Sequence, residues 1–341
     1  MSTQLTDISV YLGDIHGTRL EHLSGALTQL QISPSCLLCT MDLDQVLSIQ
    51  DLLAMQLHYE QAGKQTLLVP GNHEAAIIHR IGIDSSTYRK SHQNTSILEL
   101  VEALNLPSFS ALRASIESTL EIKGGAAIEL SSDRDWPGLL IHGAMAGKEE
   151  KYLSEFPPDL QDHVRARTDL WLRLETDEHL RANFEAMRCA GVKLMLRGHD
   201  HYLAMRSLSS HGALCSYQLA VNIISEKGID YRAESPRSGD DADDMVLIDS
   251  AQLGEVQKEA ELFWHEIDPK ASYVINCGPF YQGCFGLIRA GADGKPPAVA
   301  FCETAVSLYN EHDRRTRLGP FLSAHQARSG KTFYELFPHI D

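Results

Sequence analysis

Six short apolar runs, each ending abruptly in a cluster of glycine, aspartate, asparagine or histidine, constrain the fold of this chain more than any other feature. Ile8–Leu12 runs into Gly13-Asp14-Ile15-His16-Gly17, Cys36–Thr40 into Met41-Asp42, and Thr66–Val69 into Gly71-Asn72-His73-Glu74. Gly138–Ile141 meets His142-Gly143, Val192–Leu196 meets Gly198-His199-Asp200-His201, and Tyr273–Ile275 meets Asn276-Cys277-Gly278-Pro279. Short apolar runs bounded by turn formers read as buried strands. Between most of them lie longer amphipathic stretches, such as Gln45–Gly63 and Asp159–Ala190, that read as helices. Strands alternating with helices predict an α/β protein, whose ligands gather beyond the carboxyl ends of the strands. Asp14, His16, Asp42, Asn72, His142, His199 and His201 fall at those ends.

The chain has 341 residues, 43% hydrophobic and 22% charged, which fits a soluble globular protein with one large core or two modest domains. A formal charge of −16 argues against a general nucleic-acid binder, because affinity for a phosphate backbone comes from clustered Lys and Arg. A local cationic site made by metal ions would still attract phosphate. The amino terminus lacks the basic, apolar, small-residue order of a signal peptide, and no apolar run approaches the roughly 20 residues of a membrane helix, so the expectation is a cytoplasmic protein with no membrane partner. Seven cysteines, an odd number without regular spacing, predict reduced thiols. Cys36 and Cys39 lie in one strand run, where positions three apart face opposite sides, so they read as buried small hydrophobes. Gly330-Lys331-Thr332 is not a phosphate-binding loop, since His325 stands where the first glycine is needed.

Two regions interrupt the rhythm. Residues 79–120 are mostly helical in pattern, broken by polar Ser85-Ser86-Thr87 and Ser91–Thr95. Residues 227–244 are loop-like, with an acidic run at 240–244 that lacks the glycine and terminal glutamate of a calcium loop. Pro296–Leu308 alternates well enough for one or two strands, followed by an amphipathic tail. The expected organisation is one domain over residues 1–341, with a helical insertion at about 79–120 and an elaborated segment at about 205–270.

A pair of divalent ions about 3.5–4 Å apart can bind a phosphoryl oxygen, acidify a bridging water and stabilise an in-line displacement. Such a pair needs a bridging carboxylate, together with neutral imidazoles and an amide oxygen that keep the site from becoming too negative to admit phosphate. Mixed imidazole and oxygen ligation favours manganese, iron or zinc over calcium or magnesium. Most of the sixteen histidines have no motif around them and read as surface or structural residues. The ordered set of D-x-H, a strand-end Asp, N-H, H-G and G-H-x-H is a different matter, because each follows an apolar run.

That ordered set resembles the calcineurin-like metallophosphoesterase superfamily over about residues 8–203, with a weaker extension from Tyr273 to Ala290. The resemblance implies a four-layer sandwich of two mixed β-sheets flanked by helices. It implies that Asp14, His16 and His201 bind one metal, that Asn72, His142 and His199 bind another, and that Asp42 bridges them. The two divalent ions would be manganese by preference, with iron or zinc as alternatives. His73 matches the histidine that contacts the phosphoryl group and is proposed to protonate the leaving oxygen. Asp44 lies one position earlier than the acid that orients this histidine in phosphoprotein phosphatases and is a candidate for the same role. Met41 replaces a glycine of the pattern, and Val46 replaces its phosphate-gripping arginine, which lowers the odds of a protein serine/threonine phosphatase. Asn276-Cys277-Gly278-Pro279 resembles the N-P-G-S turn of small bacterial phosphodiesterases. The function implied is hydrolysis of a phosphate-ester substrate by a metal-bridging hydroxide, with a phosphodiesterase favoured. A monoesterase of the protein-phosphatase or dinucleoside-polyphosphatase kind is the enzymatic alternative. A non-catalytic scaffold is the other, and retention of every ligand position and of His73 argues against it.

Overall fold

The computed structural model describes residues 3–80, 100, 101, 103–130, 136–146, 157–236, 244–259, 261–291, 296–310, 312 and 313. Among these residues the strands form two mixed sheets. In the first, the order is β1 (Thr3–Gln4), β5 (Ala126–Glu129), β6 (Pro137–Ile141), β7 (Leu194–Arg197), β14 (Ser272–Cys277), β8 (Leu203–Leu208), β9 (Leu214–Tyr217) and β12 (Asp244–Val246). The second runs β11 (Gly228–Glu234), β10 (Leu219–Ser225), β16 (Ala298–Thr304), β15 (Cys284–Arg289), β2 (Ile8–Gly13), β3 (Cys36–Thr40) and β4 (Gln65–Leu68), with β13 (His265–Glu266) paired to β16. All six apolar runs lie in or overlap strands. They form two parallel trios, β2-β3-β4 in one sheet and β6-β7-β14 in the other, so within each trio the carboxyl ends point the same way.

Alternation of side chains explains why these runs are apolar throughout. Tyr11, Cys36, Leu38, Leu140, Leu194, Leu196, Ile275, Ile288, Val299 and Phe301 point between the sheets and make one core. Val10, Leu12, Leu37, Cys39, Leu287 and Ala300 point the other way, against helices α1 (Glu21–Gln29), α2 (Val46–Gln61) and α3 (Asn72–His79). On the far side, Leu139, Ile141, Met195 and Val274 pack against Leu180, Phe184 and Met187 of the helix Asp177–Cys189. Helix, sheet, sheet and helix therefore stack as the expected four-layer sandwich. Cys36 and Cys39 do face opposite sides, and all the cysteines are free thiols. No helix among the described residues is long and apolar enough to cross a membrane.

The structure departs from sequence expectation in two places, while Pro296–Leu308 keeps to it. Asp159–Ala190 is not continuous helix but three pieces, Pro158–Ala166, Thr168–Trp171 and Asp177–Cys189. The gap has a physical reason, since the carbonyls of Trp171, Leu172 and Leu174 accept from His199, Arg197 and Tyr202 instead of from a next helical turn. Residues 228–234, expected as loop, form β11, an edge strand hairpinned onto β10 with Arg232 paired to Glu303 at 2.7 Å. Pro296–Leu308 holds a single strand, β16. Of the 79–120 segment, the helix Ser110–Leu120 is described, and residues 81–99 lie outside the described set, as do 237–243 and 314–341.

Phe301, fully buried between the sheets, should be a sensitive reporter of this packing. Phe301→Ala is expected to destabilise the protein by about 3–5 kcal/mol through lost transfer energy and the cavity it leaves, read as a lower urea midpoint.

Candidate metal centre

The chain leaves its central strands in left-handed turns. Asp14 (φ 48°), His16 (51°), Met41 (24°), Asp42 (63°), His199 (68°) and His201 (54°) all occupy the region that non-glycine residues visit rarely, at about 1–3 kcal/mol each. Met41 adopts a positive φ itself, so the local backbone tolerates the missing glycine, and its side chain joins the helix-side core. Cross-strand hydrogen bonds hold the turns together. Ile15 and His16 donate to the carbonyls of Met41 and Asp42 at 3.0 and 2.8 Å, and the His199 amide donates to Asp14 Oδ1 at 2.8 Å. Glu74, buried at the start of α3, accepts from the amides of Asp42 (3.2 Å), Leu43 (2.6 Å) and Gly71 (2.6 Å), tying the second and third motifs to one carboxyl. The approach is close enough that a Cβ on Gly71 would stand 2.7 Å from Asp42 Oδ1.

Asp42, 1% exposed, sits at the middle of the cluster. Its Oδ2 faces His16 Nε2 at 3.6 Å and His201 Nε2 at 3.9 Å. Its Oδ1 faces His142 Nε2 at 3.7 Å and His73 Nδ1 at 3.8 Å. Asp14 Oδ1 lies 3.7 Å from His201 Nε2 and 3.9 Å from His142 Nδ1. These separations are too long for hydrogen bonds, whereas two donors each about 2.0–2.2 Å from a common ion stand about 3–3.5 Å apart. Two groups, Asp14 with Asp42 and His201, and His16 with Asp42 and His73, bring ligand atoms within 4.8 Å of one another and could hold a metal ion.

The donor chemistry fits a cation. Asp14 Oδ2 and His16 Nε2 are buried without a hydrogen-bond partner, a costly condition unless something positive binds them. His142 Nδ1 lies 3.1 Å from the Thr40 carbonyl oxygen and its Nε2 2.9 Å from Asn72 Oδ1. A neutral imidazole has one N–H, so donation to Thr40 leaves the lone pairs of Nε2 and Asn72 Oδ1 facing each other, as two ligands of one ion do. Burial keeps His142 neutral by pushing its pKa down. His199 is lowered further, by burial and then by Arg173, and its Nε2 is committed to the Trp171 carbonyl at 3.1 Å, which leaves Nδ1 with the lone pair. Burial pushes the Asp42 carboxyl up, but His73, His142, His201 and His16 outweigh it and hold the group well below the usual range. His16 shows the reverse balance. Burial pulls it down, while the hydrogen bond to Asp44 and the charges of Asp42, Asp44 and Asp14 raise it to about 9.

All seven residues expected as ligands are thus at one place, with His73 among them. Asp44 accepts from His16 Nδ1 at 3.2 Å, so this acid contacts one of the histidines expected as ligands. Several contributors were given no role of their own by the sequence reading. Glu74 stands three residues after Gly71 at a helix start, a capping pattern that could have drawn attention to it. Arg197, fully buried, donates to the carbonyls of Gly143 (2.7 Å) and Leu172 (3.0 Å) and pairs with Asp200, an i,i+3 pattern visible in the sequence. Asn276 Nδ2 donates to the Gly198 carbonyl at 3.1 Å. Tyr281, whose ring lies 4.9 Å from His16 and 5.5 Å from His201, carried no sequence signal.

No protein-family model and no curated protein matches the chain. Similar solved structures include a hypothetical protein from Pyrococcus horikoshii OT3, 9% identical, with 92% of this chain and 93% of that one covered at a TM-score of 0.46. Another is a cold-active protein-tyrosine phosphatase of a psychrophilic Shewanella species, 18% identical over 58% of this chain and 67% of that one, with a TM-score of 0.36. Likeness at this level carries no inference about chemistry.

The raised pKa of His16 sets a pH dependence. A metal ion bound at His16 would have to displace its proton, so the affinity of the protein for a divalent ion there is expected to rise with pH up to about 9 and then level off. Stability of the metal-free protein should run the other way. The protonated His16 contributes fully below its unfolded pKa of about 6.5, and that contribution is lost as pH rises through the folded value of about 9. Metal titrations and thermal melts between these limits check both.

Proposed function

We propose that the protein is a phosphoesterase of the calcineurin-like metallophosphoesterase kind, dependent on two divalent ions. Asp14, His16 and His201 would hold one, Asn72, His142 and His199 the other, and Asp42 would serve both. The observation that carries this reading is the split of Asp42, one oxygen turned to His16 and His201 and the other to His142 and His73. A carboxylate used by a single ion has no need of imidazoles against both oxygens. The donor set of imidazoles, carboxylates and an amide, without thiolate, favours manganese, with iron or zinc next. Ions so held supply polarisation of a phosphoryl oxygen and an acidified water.

The chain's own groups supply the rest. The His73 amide donates to Asp42 Oδ1 at 3.2 Å, which fixes this residue at the first turn of α3, with its ring 5.0 Å from that of His16. There it is suited to protonate the ester oxygen as it departs, a step that otherwise releases a costly alkoxide. The amino-terminal end of α3 adds a dipole favourable to an anion. Arg173, half-buried and near enough to His199 to lower its pKa, adds positive charge on that side of the cluster, which Val46 cannot do. The Asn276–Pro279 turn favours a diester substrate by its resemblance to small bacterial phosphodiesterases.

Hydrolysis of bis-p-nitrophenyl phosphate and p-nitrophenyl phosphate by chelator-stripped protein, with and without manganese, tests the reading. Manganese-dependent turnover is expected, faster on the diester. His73→Ala should lower kcat by about 10²–10⁴-fold with metal content unchanged, whereas Asp42→Asn should lower the content of both ions. Full activity in stripped protein, or in either variant, would overturn the proposal.

A further inference from the structure

Tyr281 belongs to neither donor set, yet it lies against two of the imidazoles. Its ring meets His16 edge-on at 4.9 Å and 83°, and His201 edge-on at 5.5 Å and 76°. No comparable ring contact joins it to His142 or His199, which lie 5.0 Å from each other. The turn that presents it is fixed at both ends. The Tyr281 amide donates to the Asp14 carbonyl at 3.3 Å, and Pro279 bridges to Gly13. Gly283 closes the turn at φ 89°, where a Cβ would collide with the Thr304 carbonyl oxygen. The Tyr281 hydroxyl accepts from the exposed Gln282 amide at 3.1 Å, while the contacts with the two imidazoles are made by its ring.

We propose that Tyr281 is a positioning residue for one half of the centre, its ring holding the His16 and His201 imidazoles in their binding orientation and leaving the Asn72, His142 and His199 half untouched. The proposal rests on the two-ion reading above. His201 is the side chain that needs such support, because it is 31% exposed while His142 is fully buried. An imidazole near solvent turns about its side-chain bonds unless a neighbour stops it, and edge-on aromatic contacts are directional enough to do so. Loss of an outer contact that orients a ligand typically weakens metal binding by about 10–100-fold.

Manganese titration of chelator-stripped protein, with free Mn²⁺ counted by electron paramagnetic resonance, tests this apart from activity. The wild-type protein is expected to bind in two steps. Tyr281→Leu, which keeps bulk but removes the ring, should weaken one step about tenfold and leave the other within about twofold. Tyr281→Phe should restore both steps, since the ring and not the hydroxyl makes the contacts. Unchanged binding in Tyr281→Leu, equal weakening of both steps, or failure of Tyr281→Phe to restore affinity would each overturn the proposal. A wild-type protein that binds one ion would defeat the two-ion reading instead, and Tyr281 would then be judged by whether the leucine variant weakens that single step.

Discussion

A carboxylate almost wholly removed from water, Asp42, is the constraint on which the rest of the site depends. Burying an isolated charge costs several kcal/mol, and Asp14 beside it is buried as well. The compensation comes from both sheets. His16 follows β2 in one sheet, while His142 and His201 follow β6 and β7 in the other. The centre therefore sits on the seam between the sheets and couples their ends, and a bound cation would act as a staple across that seam as much as a reagent.

Around this charge the protein places a layer of backbone and side-chain contacts. Glu74 joins three amides from two motifs, and the carbonyls of Thr40 and Trp171 set the rings of His142 and His199. Arg197 links β7 to the His142-Gly143 turn and to the irregular segment before the helix Asp177–Cys189. These contacts convert flexible imidazoles into oriented ones. That is the preorganisation on which a metal site's affinity depends.

Much of this was legible in the sequence, and the limits were physical. The continuous burial of strands covered on both faces makes runs such as Cys36–Thr40 unmistakable, and β3 has those bounds. The polar residues at their ends could be read because they follow the runs in a set order, and folding gathers them at one place. What could not be read depends on partners distant in the chain. Asp159–Ala190 has helical periodicity, but three side chains arriving from beyond residue 196 capture its carbonyls and interrupt it. Residues 228–234 resemble a loop in composition, yet become β11 because β10 offers an edge. Tyr281 is one aromatic residue after a turn, and only folding brings its ring against His16.

The left-handed turns at Asp14, His16, Asp42, His199 and His201 also restrict how such a protein could evolve. Asp, Asn and His are the side chains that tolerate this backbone region best after glycine. They are also ligands of divalent ions with mixed nitrogen and oxygen preference. Exchange of one of them for glutamate or cysteine would place at a positive φ a residue that adopts it with difficulty. The backbone at these positions thus favours Asp, Asn and His, which limits by conformation the donors that a metal ion could meet there.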